Sequence, residues 1–204
     1  MRLGVIILAA GASVRMGRPK LLLPWGGGTG TVIAHLLAQW TSLSPAQIAV
    51  VLDGSNAGLE AELNRIGWPS TQRIRNPDPG RGMFSSVQCA AQWTGWGPHL
   101  THWAVALGDQ PLVRTRTLKE LLEFATQHTS AVCQPSRNGR GRHPLILPAA
   151  TFAGLKTSSA TDLKQYLTGA GGPAIRCNMD DPGLDLDLDE PGDYERALAQ
   201  ATEA

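Results

Sequence analysis

Short apolar runs alternate along this chain with stretches whose apolar residues recur at helical spacing. The runs Leu3–Leu8, Ile48–Leu52, Gln72–Arg75, Trp103–Leu107, Ala131–Pro135 and Leu145–Leu147 predict strands. Between them, helices are predicted over Thr31–Gln39, Gly58–Ile66, Ser85–Trp93 and Arg114–Thr126. In the last of these, Leu118, Leu121, Leu122 and Ala125 fall at i, i+3, i+4 and i+7, one face of a helix. The second half is less regular, with a short helix predicted at Ala160–Thr168 and a closing helix at Asp193–Ala201. Pro191 supplies a turn and Asp193 an N-cap for that closing helix. Strand–helix alternation of this kind predicts an α/β protein with a doubly wound, mainly parallel sheet. No repeat, low-complexity linker or composition shift divides the chain, so residues 1–204 are expected to form one domain.

Composition narrows the partners. With a formal net charge of +1 over 204 residues, there is no electrostatic case for nucleic acid or an acidic membrane surface. Basic residues cluster locally instead, at Arg15 to Lys20 and Arg137 to Arg142, which suits a small anionic ligand. No apolar stretch approaches the ~20 residues of a membrane span, and Leu3 to Ala10 is too short for a signal peptide. Cys89, Cys133 and Cys177 are widely spaced, odd in number and lack any Cys-x-x-Cys pair. They read as core thiols of a reducing compartment, and a cytoplasmic enzyme is expected.

The segment Leu8-Ala9-Ala10-Gly11-Ala12-Ser13-Val14-Arg15-Met16-Gly17-Arg18-Pro19-Lys20 directly follows the first apolar run. It predicts a loop of small residues that presents Arg15, Arg18 and Lys20, with Gly11 allowing close approach of a ligand and Gly17 a second unusual bend. Backbone N–H groups backed by fixed cations suit a polyphosphate. The spacing is not that of a P-loop, because five residues separate Gly11 from Gly17 and Arg18-Pro19 precede Lys20. Nor is it the dinucleotide fingerprint, since Ser13 stands where the second glycine belongs. Taken alone, it reads rather as a turn with solvated basic residues, and only partners elsewhere in the chain overturn that.

Ligands of doubly wound sheets bind beyond the carboxyl ends of the strands. Three chemically unusual loops should therefore meet there: the one after Leu8, Gly108-Asp109-Gln110-Pro111, and Asn76 to Ser86. Asp109 is suited to Mg²⁺, which takes one or two carboxylates plus substrate phosphates; otherwise it would cap the helix near Arg114. Asp185, Asp187 and Asp189 alternate with leucine and would share one face of a strand, either a charged solvent-facing edge or a cation site centred on Asp187. Ser85 or Ser86 is an ordinary N-cap candidate, while the same loop could set Asn76 and the helix start against a base, ribose or phosphate. His143 stands alone beside Arg140 and Arg142, in a loop that could hold an anion.

At these residues the chain resembles the MobA-like nucleotidyltransferase family, and within it the molybdenum cofactor cytidylyltransferase branch. The resemblance runs through Leu8 to Pro24, Gly82-Met83-x-Ser85-Ser86, Gly108-Asp109-Gln110-Pro111, His143-Pro144 and Asp187-x-Asp189-x-Pro191-x-Asp193-Tyr194. It implies a Rossmann-like, three-layer α/β/α fold of the nucleotide-diphospho-sugar transferase type. It also implies Mg²⁺-dependent transfer of CMP from CTP to the phosphate of molybdopterin, with release of pyrophosphate. On that resemblance Arg15, Lys20 and Asp109 are catalytic, and Asp109 and Asp187 hold the metal. Leu8, Ala9, Ala10, Gly11, Ser13, Arg15, Lys20, Asn76, Ser85 and Ser86 would contact the nucleotide. His143 and Arg142 would face the acceptor, with Arg142 replacing the glycine usual there. Leu-Ala-Ala-Gly resembles the cytidylyl-type motif, whereas guanylyl-type relatives carry Leu-Ala-Gly-Gly, so Ala10 would stand near the base. The alternatives are GTP as donor, a sugar phosphate or other phosphorylated acceptor, and a non-catalytic protein delivering the cofactor. A molybdoenzyme or its chaperone would be the protein partner.

Overall fold

The computed structural model describes residues 1–27, 30–169 and 172–202. Among the described residues, eight strands form one mixed sheet. They are β1 (Leu3–Ala9), β2 (Gln47–Asp53), β3 (Arg73–Asn76), β4 (His102–Leu107), β5 (Cys133–Arg137), β6 (Arg140–Gly141), β7 (Leu145–Pro148) and β8 (Ile175–Asn178). Their order is β3-β2-β1-β4-β7-β5-β6, with β8 paired to β5. β3, β2, β1 and β4 run parallel. β7 is inserted antiparallel between β4 and β5, and β8 runs parallel to β5.

The period-2 alternation of side chains sends successive strand residues to opposite layers. Val5 and Ile7 pack on one side with α1 (Val32–Ser42), α2 (Ala57–Arg65), α4 (Thr115–Gln127) and α7 (Pro191–Thr202). Ile6, Val51 and Val105 pack on the other with α3 (Met83–Gln92), α5 (Ala149–Gly154) and α6 (Leu163–Thr168). Both faces of the sheet are covered, giving the expected three-layer α/β/α fold. The predicted strand Ala131–Pro135 lies two residues later, at Cys133–Arg137. The short strands β6 and β8 and helix α5 had no clear apolar signal; Arg176 and Asn178 of β8 are exposed.

Two expectations about the closing segment are corrected. Asp185, Asp187 and Asp189 do not lie on a strand: Pro182–Asp185 forms a short 3-10 turn, and the chain continues extended without a sheet partner. The leucines still point inward, with Leu184 and Leu188 buried. Asp193 is not the N-cap of α7 but lies in its first turn, where its carboxylate accepts the N–H groups of Asp189 and Glu190. That reach-back is the N3 half of a capping box.

The cap of α4 is also remote in sequence. Neither Asp109 nor any side chain of its own loop caps it. Buried Asp181 accepts from the Arg114 N–H at 2.8 Å and the Thr117 hydroxyl at 2.6 Å. Gly183 follows so closely that a Cβ there would come within 2.2 Å of the Leu112 carbonyl oxygen. Farther on, the Leu188 N–H donates to the Asp109 carbonyl at 2.9 Å. Segment 181–189 is thereby clipped along the loop that follows β4.

Burial lowers the proton affinity of three histidines below the ordinary value: His35, His102 and His143, each also against a backbone carbonyl. The unfolded chain protonates these rings as pH falls through about 6.5, whereas the folded chain resists. The stabilisation is therefore complete above that pH and is lost progressively below it. Thermal melts are expected to give a falling Tm from pH 7.5 to pH 5.5, with a smaller slope in His102→Gln. A flat Tm over that interval would contradict the assignment.

Candidate active site

The loop after β1 begins inside the core, because Ala9 and Ala10 are buried. It leaves the sheet at Gly11 and folds back on itself. Ser13 adopts a left-handed φ of 53° and Gly17 one of 69°. The Gly17 N–H reaches the Ser13 carbonyl at 3.1 Å, and the Ser13 hydroxyl accepts from the Lys20 N–H at 3.2 Å. Met16 is buried and anchors the loop. Lys20 then opens a 3-10 turn whose Leu21 enters the core. Held from both sides, the Lys20 side chain is only 12% exposed.

Asp109 reaches the same point from β4. The Gly108 N–H donates to the Leu8 carbonyl at 2.9 Å, and a Cβ on Gly108 would lie 2.6 Å from that oxygen. Glycine there lets the ends of β1 and β4 touch and sets Asp109 beside Lys20. The Lys20 Nζ donates to Asp109 Oδ2 at 2.5 Å and to Asp189 Oδ1 at 3.3 Å. Arg15 Nη2 lies 2.8 Å from Asp189 Oδ2. Burial disfavours the Lys20 ammonium, but Asp109 and Asp189 outweigh it and raise its proton affinity.

The other two aspartates have different partners. Asp185 is gripped by Arg137 and Arg142. Asp187 accepts from the side-chain amide of Gln110 at 2.7 Å. Its proton affinity is raised by burial, and further by the charges of Asp109 and Asp189, against opposing contributions from Gln110 and Lys20.

Across the cleft, Gly82 with φ 87° and ψ 177° is the N-cap of α3, a conformation open to glycine. Ser85 and Ser86 are therefore not the cap. Asn76 is buried and donates to both of their hydroxyls, at 2.8 and 3.0 Å, while its carbonyl accepts from the Asp78 N–H. Ser85 in turn donates to the Gly82 carbonyl at 2.8 Å. Asn76 and Ser85 thus build the wall from behind, and Ser86 lies on it.

The resulting cleft, about 280 Å³, is lined by Leu8, Ala9, Ala10, Gly11, Lys20 and Asp109 on one side. Pro79, Gly82, Met83 and Ser86 line the other. Met83 is shared with a second cavity of about 490 Å³, where His143 and Gln134 meet apolar Leu145, Leu163 and Leu167 and the cations Lys164 and Arg176. His143 donates through Nδ1 to the Val105 carbonyl at 3.2 Å, so its neutral ring keeps Nε2 as an acceptor. Arg142 is committed to Asp185.

The predicted loops after β1, β3 and β4 therefore converge, and Leu8, Ala9, Ala10, Gly11, Lys20, Ser86 and Asp109 share one cleft. Ser13 braces the Lys20 backbone, and Arg15, outside the lining of the cleft with a side chain 66% exposed, pairs with Asp189. Lys164 and Arg176 carry no signal in the sequence. Met83 and Gln110 lie in motifs recognised in the sequence but have no role there, and Asp189 is named there with Asp185 and Asp187, although Asp187 is the preferred one.

No helix among the described residues is long and apolar enough to cross a membrane. The MobA-like NTP transferase domain family matches residues 5–172. The molybdenum cofactor cytidylyltransferase of Escherichia coli (strain K12) is 27% identical over 201 residues, covering 97% of this chain and 96% of that protein. Among solved structures, a nucleotidyl transferase from Methanothermobacter thermautotroptrophicus superposes with a TM-score of 0.79 at 21% identity, covering 98% of both chains. Molybdopterin-guanine dinucleotide biosynthesis protein A from Archaeoglobus fulgidus gives 0.71 at 13% identity, covering 98% of this chain and 100% of that one. With the family matching most of its length, and with the cleft at the carboxyl ends of β1 and β4, the chain belongs to the MobA-like NTP transferases and is a nucleotidyltransferase.

Proposed function

We propose that this protein transfers CMP from CTP to the terminal phosphate of molybdopterin, releasing pyrophosphate, in a Mg²⁺-dependent reaction in the cytoplasm. The observation that carries this reading is the Lys20–Asp109 contact at the mouth of the cleft, with a second, cation-bearing cavity adjoining it. The choice of CTP and of molybdopterin is supported by the near full-length match to the Escherichia coli cytidylyltransferase and by Ala10 in Leu-Ala-Ala-Gly.

The donor set fits a hard divalent cation delivered on a triphosphate. Among the described residues no group of three or more His, Cys, Asp or Glu encloses a metal. Asp109 and Asp187 together offer the one or two carboxylates that Mg²⁺ takes when phosphates and water complete its shell. When bound there, Mg²⁺ would supply charge neutralisation of the triphosphate.

The protein's own groups account for the rest. An acceptor phosphate monoester has a second pKa of ~6, so at neutral pH it is already a dianionic nucleophile and needs no general base. Its oxygen forms a bond to the α-phosphorus of CTP, and the bond to the β-phosphate oxygen breaks. Arg15 and Lys20 would turn from Asp189 and Asp109 onto the triphosphate and stabilise the charge growing on the leaving pyrophosphate. Positioning and charge neutralisation supply most of the catalysis in such transfers. In the second cavity Lys164 and Arg176 suit an anionic acceptor, while neutral His143 accepts a hydrogen bond from an N–H or O–H of its ring system. On the nucleotide wall, Ser86 offers its hydroxyl to the base or ribose.

Mixing the protein with CTP, Mg²⁺ and molybdopterin is expected to release pyrophosphate, much faster than with GTP. Asp109→Ala should lower turnover by at least about a hundredfold with an unchanged circular dichroism spectrum. Equal rates with CTP and GTP would refute the base assignment, and full activity of Asp109→Ala would refute the site. Gly11 supplies a second check. Its backbone has no left-handed φ, and an added Cβ would meet no protein atom within 4 Å. The fold does not require glycine there, whereas a close-lying nucleotide would. Gly11→Ala is expected to leave Tm nearly unchanged and to raise the KM for CTP roughly tenfold; an unaltered KM would remove Gly11 from the nucleotide site.

A further inference from the structure

The run Leu-Asp-Leu-Asp-Leu-Asp distributes its three carboxylates to three kinds of partner. Asp185 is neutralised by two guanidinium groups, Arg137 and Arg142. Asp189 is neutralised by one guanidinium and one ammonium, Arg15 and Lys20. Asp187, between them, has no ion pair among the described residues; its hydrogen-bond partner there is the neutral amide of Gln110, at 2.7 Å. An amide fixes a carboxylate's direction without cancelling its charge. Asp187 is therefore the carboxylate of the three whose direction is fixed by a neutral donor and whose oxygens no ion pair among the described residues occupies.

Gln110 is well placed to impose that orientation. It is buried, 6% exposed, in the loop that also carries Asp109. The same loop is tied to segment 181–189 by the Leu188 N–H on the Asp109 carbonyl and by Asp181 on the Arg114 N–H. The backbone clips set the register of the two segments, and the Gln110 amide sets the one side chain that the clips leave free. A lysine or arginine at 110 would consume the charge. An aliphatic residue would leave the exposed Asp187 carboxylate without the donor that fixes its direction.

We infer that Gln110 is a positioning residue which holds Asp187 as a charged, aimed partner to Asp109, so that the pair can receive a divalent cation carried by the nucleoside triphosphate. This rests on the metal-dependent transferase reading above. Groups that orient a metal-binding carboxylate typically change metal affinity by about 10–100-fold when removed.

The test is Mn²⁺ binding to the whole protein, followed by electron paramagnetic resonance, with and without a non-hydrolysable CTP analogue. Wild type, Gln110→Met, Gln110→Glu, Asp187→Ala and the double variant Gln110→Met/Asp187→Ala are compared, with thermal melts alongside. In the presence of the analogue, both Gln110 variants are expected to weaken Mn²⁺ binding about tenfold or more, and affinity for the metal-free analogue should stay within about twofold. The double variant should bind no more weakly than Asp187→Ala, because Gln110 acts through Asp187. Wild-type Mn²⁺ affinity in Gln110→Met or Gln110→Glu, or losses that multiply in the double variant, would overturn the positioning role. If wild type itself gains no Mn²⁺ affinity from the analogue, the metal-dependent reading fails, and the inference with it.

Discussion

The contact between the Lys20 ammonium and the Asp109 carboxylate joins the two strand ends around which the rest of the site is built. Its 2.5 Å length depends on several local features of the sequence. Gly108 lets β4 press against the Leu8 carbonyl, the Ser13 hydroxyl fixes the Lys20 backbone, and Leu21 anchors the turn that follows. Lys20 also reaches Asp189, so one ammonium draws together a strand-end loop and the closing segment of the chain. Its raised proton affinity keeps it charged at every physiological pH.

Charge balance explains why this arrangement suits a metal–triphosphate better than either component alone. At about 4 Å and an effective dielectric near 20, each like-charge pair costs about 4 kcal/mol. A bare triphosphate entering beside Asp109, Asp187 and Asp189 meets several such pairs, and a bare cation must compete with Lys20 for Asp109. On the proposed reading they would exchange partners on arriving together: the cation would take the carboxylates and the phosphates would take Lys20 and Arg15. In the free protein the same cations and carboxylates neutralise one another, so the site stays ordered between turnovers.

Much of this was legible in the chain. Apolar runs placed most of the strands, and the rule that ligands bind beyond strand carboxyl ends brought the loops after Leu8, Arg75 and Leu107 to one place. What failed were inferences that depend on partners distant in sequence. Alternating Leu and Asp is the signature of a strand only when a neighbouring strand is present; here the alternation records an extended segment lying on a loop. Asp181 looks unremarkable until Arg114 and Thr117 are brought against it by the fold. Nor does the sequence show that Asn76 and Ser85 hydrogen-bond inside the wall that carries Ser86. Nor does it show that Arg142 pairs with Asp185, more than forty residues later.

On the proposed reading, Lys20 would hold the place of the incoming cation until a nucleotide draws it away. Calorimetric titration of Mn²⁺ into Lys20→Met, without nucleotide, tests this directly. The variant is expected to bind Mn²⁺ more tightly than wild type, because its carboxylates have lost their competitor, and added CTP analogue should no longer improve that affinity as it does in wild type. Weaker or unchanged Mn²⁺ binding in Lys20→Met, with the nucleotide effect intact, would contradict it.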